Sequence, residues 1–264
     1  VKILCWNVNG YRSAFGKGLP ELLRHEKPDI FCAQEIKAHR EILESPEFTL
    51  PGYRLFCSCA EKKGYSGVAT WVREDIFSSC TLLGTGIGVE EFDSEGRFVF
   101  VEVGNIILYN IYFPSGTSGE DRQGFKYSFL DALYSHISDL PIKDRQRLVI
   151  CGDVNICHRD IDIHHPEEAT KRLLTGFLPE ERAWVTSFLE LGFIDAFRSL
   201  HGDQAKNYTW WSFRANSRAK NLGWRIDYFF IAAELRQRLR SCAIHAEVRG
   251  SDHCPLTLEL SRSI

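Results

Sequence analysis

The chain has 264 residues, 44% of them hydrophobic and 25% charged, with 32 Lys and Arg against 35 Asp and Glu for a net charge of −3. This composition excludes a disordered or fibrous protein and one that coats nucleic acid by bulk positive charge, and the length lets an α/β domain bury a core without covalent staples. Apolar runs stay under about ten residues against the roughly 20 that span a bilayer, so no membrane-crossing segment is expected.

In chain order, the first predicted element is the apolar run VKILCWNVNG at 1–10, a buried strand ending in Asn7-Val8-Asn9. It lacks the basic, long apolar and small-residue sections of a secretory signal, which points to a cytoplasmic home. Helical periodicity follows over 19–26, and GVATWV at 67–72 and ILYNIYF at 107–113 read as strands, the second stopped by Pro114-Ser115-Gly116. A helix is expected over 126–140. RLVICGDVNI at 147–156 then repeats the opening pattern, ending in Asp153-Val154-Asn155, and suggests two similar halves. His164-His165 beside Pro166 falls in a loop, and Pro179-Glu180-Glu181 starts a helix over 179–191. The stretch WWSFRANSRAKNLGWR at 210–225 carries four positive charges, four aromatics and no acid, a patch in which Arg214 and its neighbours suit phosphate contact and stacking. RIDYFFI at 225–231 and PLTLEL at 255–260 are the last predicted strands. With no linker or low-complexity tract between them, these alternating elements predict a single α/β domain over 1–264.

Nine cysteines, an odd number with only Cys57 and Cys59 close together, read as reduced thiols. Neither that pair nor His164-His165 has the partners of a zinc site, and the Asn207-Tyr208-Thr209 sequon is read as accidental. The predicted strand ends carry Asn7, Asn9, Glu35, Tyr112, Asp153, Asn155, Asp227, Asp252 and His253. Taken singly, each is a turn former or strand stop. Taken together, Glu35 and Asp252 with Asn7 or Asn9 offer the hard oxygen ligands of a Mg²⁺ site. Asp227 can orient the His253 imidazole, whose charged form stabilises an oxyanion, with Tyr112 and Asn155 as neutral donors. Asp153 can orient or deprotonate a water, which describes phosphate-ester hydrolysis without a covalent intermediate. No G-x-S-x-G elbow and no P-loop motif occurs.

WNVNG (6–10), AQEIKA (33–38), GYSGVA (64–69), EGRF (95–98), YFPSG (112–116), GDVNI (152–156), GFLPEERAW (176–184), YTWWS (208–212), NLGWRIDYFF (221–230) and GSDHCPLTLEL (250–260) occur in this order. Ten such motifs along the whole chain resemble the exonuclease III family of apurinic/apyrimidinic endonucleases. The resemblance implies a four-layer α/β sandwich, two packed mixed β-sheets flanked by helices in two pseudo-symmetric halves. It implies a phosphodiesterase using Mg²⁺, with Mn²⁺ able to substitute, in one or two ions. Such an enzyme nicks double-stranded DNA 5′ to abasic sites and leaves a 3′-hydroxyl, with 3′-5′ exonuclease or 3′-phosphodiesterase action on blocked ends, as a monomer without a membrane. Position by position, Glu35 matches the metal-binding Glu with Asn7 and Asn9 beside it, and Asp153 the Asp that positions the water. Asn155 and Tyr112 match phosphate and transition-state contacts, Asp227 the partner of the catalytic His, and Asp252-His253 the metal-side Asp and that His. Trp210, Trp224 and Ile226 match the pocket for a flipped abasic sugar, and Arg12, Ser13, Lys17, Gly64 and Tyr65 match contacts on the DNA backbone. Ser115 stands where many members have Asn, and EEATKRLLT at 167–175 lacks the usual Asn, leaving Lys171 and Arg172 as candidate phosphate contacts. The same architecture serves phospholipid and inositol-phosphate phosphodiesterases; WRIDY with the Arg/Trp patch favours DNA.

Overall fold

Short runs of β-branched and aromatic residues become strands in the computed structural model, which describes residues 1–77 and 80–261. The strands are β1 (Lys2–Asn7), β2 (Ile30–Gln34), β3 (Tyr53–Ser58), β4 (Val68–Arg73), β5 (Cys80–Gly84), β6 (Phe98–Val103), β7 (Ile106–Tyr112), β8 (Leu148–Asp153), β9 (Phe193–Asp195), β10 (Asp227–Ala232), β11 (Leu239–Ile244) and β12 (Leu256–Leu260). They form two six-stranded mixed sheets, in the orders β11-β12-β1-β2-β4-β3 and β5-β6-β7-β8-β10-β9. Each sheet has one parallel pair, β1 with β2 and β7 with β8, and its other neighbours are antiparallel.

The two orders correspond strand for strand, so β7 is the counterpart of β1, and β8 that of β2. This confirms two similar halves but corrects the pairing that suggested them, because the repeated runs at 1–10 and 147–156 lie on β1 and β8, which are not equivalent strands. They end alike because both central strands stop at the same edge of the sandwich, where Asn7 Nδ2 donates to Asp153 Oδ2 at 2.8 Å.

The strand period of two sets the layers. On β1, Ile3 and Cys5 join the core between the sheets, whereas Leu4 and Trp6 pack outward with Tyr11 and Leu23 from the segments Tyr11–Phe15 and Leu19–Glu26. The other sheet is covered by the helices Glu120–Ser138 and Pro179–Glu190, joined where Trp184 Nε1 donates to the Leu130 carbonyl at 3.0 Å. Two helical expectations change. The helix expected over 126–140 starts at Glu120, because Gly119 (φ +104°) turns the chain into a first turn carrying Glu120 and Asp121. The loop expected at His164-His165-Pro166 leads directly into a helix, Pro166–Lys171, with the proline in its first turn and Glu167 and Glu168 behind it. Among the described residues no helix is long and apolar enough to cross a membrane, and all nine cysteines are free.

Candidate active site

The repeated Asn/Asp-Val-Asn is a turn with a local mechanism. Asn7 Oδ1 accepts the N–H of Asn9 at 3.0 Å, and Asp153 Oδ1 that of Asn155 at 2.9 Å. Both third residues take left-handed backbone, φ +44° and +56°, which Asn tolerates. Glu35, just past β2, has φ +48° without that tolerance and is held by two hydrogen bonds, Gly10 N–H to its carbonyl (2.8 Å) and Ile36 N–H to Gly67 O (3.1 Å). At Gly152, before Asp153, a Cβ would lie 1.8 Å from Ile111 O, so only glycine lets β8 approach β7 there.

These turns bring together the side chains of both sheet ends. Asn7 Nδ2 bridges Glu35 Oε1 (2.9 Å) and Asp153 Oδ2 (2.8 Å). His253 places Nδ1 2.8 Å from Asp227 Oδ2 and Nε2 3.7 Å from Asp153 Oδ2. Asn155 Nδ2 donates to Phe113 O at 3.0 Å. Glu35, Asp153 and His253 have ligand atoms within 4.8 Å of one another. Asp252 does not join that group, because its carboxylate is drawn aside by Trp210 Nε1 (3.0 Å) and Asn9 Nδ2 (2.9 Å). The expected metal-side set is therefore divided: Asn7 turns its amide N–H toward the carboxylates, and Asn9 links Asp252 to Lys37. The Lys37 ammonium, missed in the sequence although only two residues beyond Glu35, lies 2.8 Å from Glu35 Oε2 and 2.6 Å from Asn9 Oδ1.

Charge follows burial. Desolvation pushes the Asp153 carboxyl up to about 8, with His253 opposing and Asp227 and Glu35 reinforcing. Burial would lower the His253 imidazole, but the Asp227 and Asp153 carboxylates outweigh it and raise it to about 10, so the ring is cationic at neutral pH. Burial raises Tyr112 well above the phenol range, with Glu35 and Asp153 adding to it, so it remains a neutral donor. Glu35 and Asp252 lie below the usual range: burial opposes this, but Lys37 acts on the first and His253 on the second.

Beside this group is a cavity of about 500 Å³ whose wall includes Tyr112, Asn155, Leu174, Gly176, Trp210, Trp224 and Ile226. The Trp210 and Trp224 rings meet edge to face at 6.0 Å, and their backbones exchange two 2.9 Å hydrogen bonds. Asp227 does not line the cavity; it is buried behind His253. The rear wall rests on a pair invisible in the sequence pattern, the wholly buried Lys126–Glu181 (2.6 Å). Lys126 also donates to the Asn155 carbonyl (2.9 Å), and Glu181 Oε2 accepts the N–H groups of Gly176 (2.6 Å) and Leu178 (3.0 Å).

The expected DNA contacts are spread around this centre. Arg12, Ser13, Lys17, Gly64 and Arg214 are exposed. Tyr65 turns its hydroxyl inward, accepting from Arg122 (2.7 Å) beside Glu95 and Arg97, and Arg97 lies 4.8 Å over the Tyr112 ring. Arg172 is exposed and pairs with Glu168 at 2.9 Å. The cationic patch at 210–225 is half internal. Arg225 is buried on Asp162 (2.8 Å) and Asp195 (2.7 Å), and Arg218 binds the Ser251 carbonyl (2.9 Å) while stacking over the buried Trp211. Arg214 and Lys220 stay outside, as does Phe213, which is 77% exposed.

Residues 4–253 match the model of the endonuclease/exonuclease/phosphatase family. An exodeoxyribonuclease of Bacillus subtilis (strain 168) is 37% identical over 260 residues, 98% of each chain. The DNA repair nuclease APEX1 of Danio rerio is 37% identical over 99% of this chain and 82% of its own. Of the solved structures, the AP endonuclease LMAP from Leishmania major has a TM-score of 0.88 at 27% identity, covering 99% of this chain and 88% of that one. A 3′ phosphatase, NExo from Neisseria, bound to a product DNA hairpin, has a TM-score of 0.87 at 26% identity, covering 99% of both.

Proposed function

The chain belongs to the endonuclease/exonuclease/phosphatase family, in its exonuclease III branch of apurinic/apyrimidinic endonucleases, and on that premise we propose that it hydrolyses the DNA backbone 5′ to abasic sites, leaving a 3′-hydroxyl. The observation that carries this reading is the juxtaposition of Glu35, Asp153 and His253 with an apolar-walled cavity of about 500 Å³. A sugar without its base can enter between Trp210, Trp224 and Ile226, whereas an intact nucleotide is too large, and an abasic site has little stacking to lose.

Asp153 is a carboxyl whose raised pKa makes its ionised form a stronger proton acceptor than an ordinary aspartate, and Asn7 and its own turn hold it in place. It orients water and takes the proton as the water oxygen bonds to phosphorus. The bond from phosphorus to the upstream O3′ breaks, and the 5′-phosphate stays on the abasic sugar. His253, kept cationic by Asp227, and the neutral Tyr112 hydroxyl face the charge that develops on the phosphate. The donor set fits a hard divalent cation, since Glu35 and Asn9 already hold the Lys37 ammonium between their oxygens. Mg²⁺, or Mn²⁺ in its place, would be held by Glu35 and Asn9, with Asp252 behind Asn9 adding negative charge, and when bound it would neutralise phosphate charge and polarise the P–O bond. The reading extends to one catalytic unit over the whole chain, acting as a monomer wherever the cell keeps its DNA.

A duplex with one abasic site, incubated with Mg²⁺ and separately with EDTA, tests this. Incision on the 5′ side with a 3′-hydroxyl product is expected only with the metal, and an intact duplex under every divalent ion would overturn it. Action on blocked 3′ ends is the second reading, favoured by the likeness to the NExo 3′ phosphatase, and a 3′-phosphate duplex in the same assay measures it.

A further inference from the structure

We propose that Cys57 and Cys59 form a dithiol modification site that hydroperoxides convert to a disulfide, and that this bond weakens the grip of the neighbouring loop on DNA. The two sulfurs lie 3.9 Å apart and both side chains are partly exposed, whereas Cys5, Cys32, Cys151, Cys157, Cys242 and Cys254 are buried. Cys57 lies on β3, the edge strand of its sheet, opposite Ala69; the ladder ends at Ser58 paired with Val68, so Cys59 can move without breaking a strand pair.

The two thiols are not equivalent. The Cys57 sulfur, paired with it at 3.9 Å, holds the Cys59 thiol below its ordinary range against the cost of burial, and the Arg40 backbone N–H and guanidinium help, with Glu41 opposing. Cys57 is shifted upward. A low-pKa, accessible thiol beside a resolving thiol is the arrangement that reacts with peroxides. Cys59 thiolate attacks one peroxide oxygen, an S–O bond forms as the O–O bond breaks, and water or an alcohol leaves. Cys57 then loses its proton and attacks the Cys59 sulfur; the S–S bond forms, the S–O bond breaks, and a second water leaves. The thiol pair is oxidised by two electrons and the hydroperoxide is reduced by the same two.

Closure brings the sulfurs from 3.9 Å to about 2 Å. Cα atoms two apart in an extended strand lie about 6.6 Å from each other, near the upper end of the roughly 4.4–6.8 Å that disulfides span and above their commonest 5.5–6 Å, so the bond draws the chain inward. The backbone that must move rests on Gly96, where a Cβ would lie 2.5 Å from Cys59 C and 2.6 Å from Ala60 N. Next to Gly96, Glu95 and Arg97 hold the Tyr65 hydroxyl, and Ser66 O accepts the Lys37 N–H at 2.9 Å. The bend therefore reaches the Gly64-Tyr65 loop. The thiol chemistry stands apart from the proposed function; only its DNA consequence rests on that reading.

The whole chain is treated with hydrogen peroxide and examined by intact mass and peptide mapping, with Cys57→Ser and Cys59→Ser variants alongside. Loss of two hydrogens mapped to Cys57–Cys59, restored by dithiothreitol, is expected, as is a dimedone adduct on Cys59 in Cys57→Ser. Cys59→Ser should react about tenfold more slowly at residue 57. A disulfide elsewhere, or no mass change, would overturn the site. Oxidised wild type should bind an abasic duplex several-fold more weakly in EDTA, with recovery on reduction and no change for peroxide-treated Cys57→Ser. Equal affinities of the oxidised and reduced forms would overturn the coupling to the loop, and absence of binding by both forms would count against the DNA reading while leaving the thiol result intact.

Discussion

Asp153 and His253 face each other across 3.7 Å with a carboxylate on the far side of the imidazole, so charge at this point is set by two residues at once. Asp153→Asn keeps the shape and the turn but cannot accept a proton; it should lower kcat at least about 100-fold with DNA binding retained. A variant retaining half the wild-type turnover would remove Asp153 from the proton-accepting role. Asp162 gives a second test at this scale, on stability. Burial raises its carboxyl, but Arg225 and Arg198 outweigh it and bring the pKa down to about 2. A folded-state pKa below the unfolded one contributes stability that is fully present above about pH 4 and is lost as pH falls through about 2, about 2 kcal/mol in all. Asp162→Asn should lose at least that at pH 7, because Arg225 is left half paired, and its urea midpoint should change less with pH between 4 and 2. Parallel midpoint curves for the two proteins would show that Asp162 contributes no acid dependence.

On the proposed reading, substrate discrimination rests on the helix Pro166–Lys171 and the excursion from Asn207 to Ile226. Trp224 is fastened by backbone bonds to Trp210, and Trp211 N–H donates to the Asp252 carbonyl at 3.0 Å, so the pocket wall and the site move as one. Trp224→Ala should lower the ratio of abasic to intact cleavage more than it lowers affinity, and an unchanged ratio would place the pocket elsewhere. At the end of the helix, Arg172 pairs with Glu168 in an exposed i,i+4 contact, a kind of pair worth little in water, so the arginine is free to turn to phosphate. Arg172→Ala should make the slope of log affinity against log salt shallower by about one unit. As a control, Lys143→Ala, at an exposed position ahead of the start of β8 and so beyond the end of that strand opposite Asp153, should leave the slope unchanged. Equal slopes for Arg172→Ala and wild type would show that this helix does not reach the backbone.

The two sheets share one interior, with Ile3 and Cys5 of β1 packed in the same cluster as Ile150 and Cys151 of β8. Neither half can expose its inner face without the other, so calorimetry should record one unfolding transition. Two resolved transitions would show independent halves. The proposed catalytic residues stand at the ends of both sheets, so losing that packing should end catalysis as chelation does. EDTA should abolish incision, and Mg²⁺ or Mn²⁺ should restore it without refolding; incision that persists in EDTA would contradict a metal-dependent phosphodiesterase.

Strands with both faces buried tend to read as unbroken apolar runs, so β1, β4, β7, β8, β10 and β12 were legible in the sequence, although the equally buried β6 was not. The three-residue β9 and the half-exposed β5, too short or too mixed for a period, were not. Asn7, Glu35, Asp153 and His253 were legible because polar side chains at the ends of apolar runs are costly there without a task. Sequence spacing carries no distance between residues far apart in the chain. Only tertiary packing decides that Asn7 joins Glu35 to Asp153, that Lys37 takes the place beside Glu35 while Trp210 draws Asp252 away, and that Arg225, part of a patch read as suited to phosphate contact, is buried on two aspartates. Local residue chemistry specifies a turn or a strand, but which charges meet, and which of them water still reaches, is a property of the assembled sandwich.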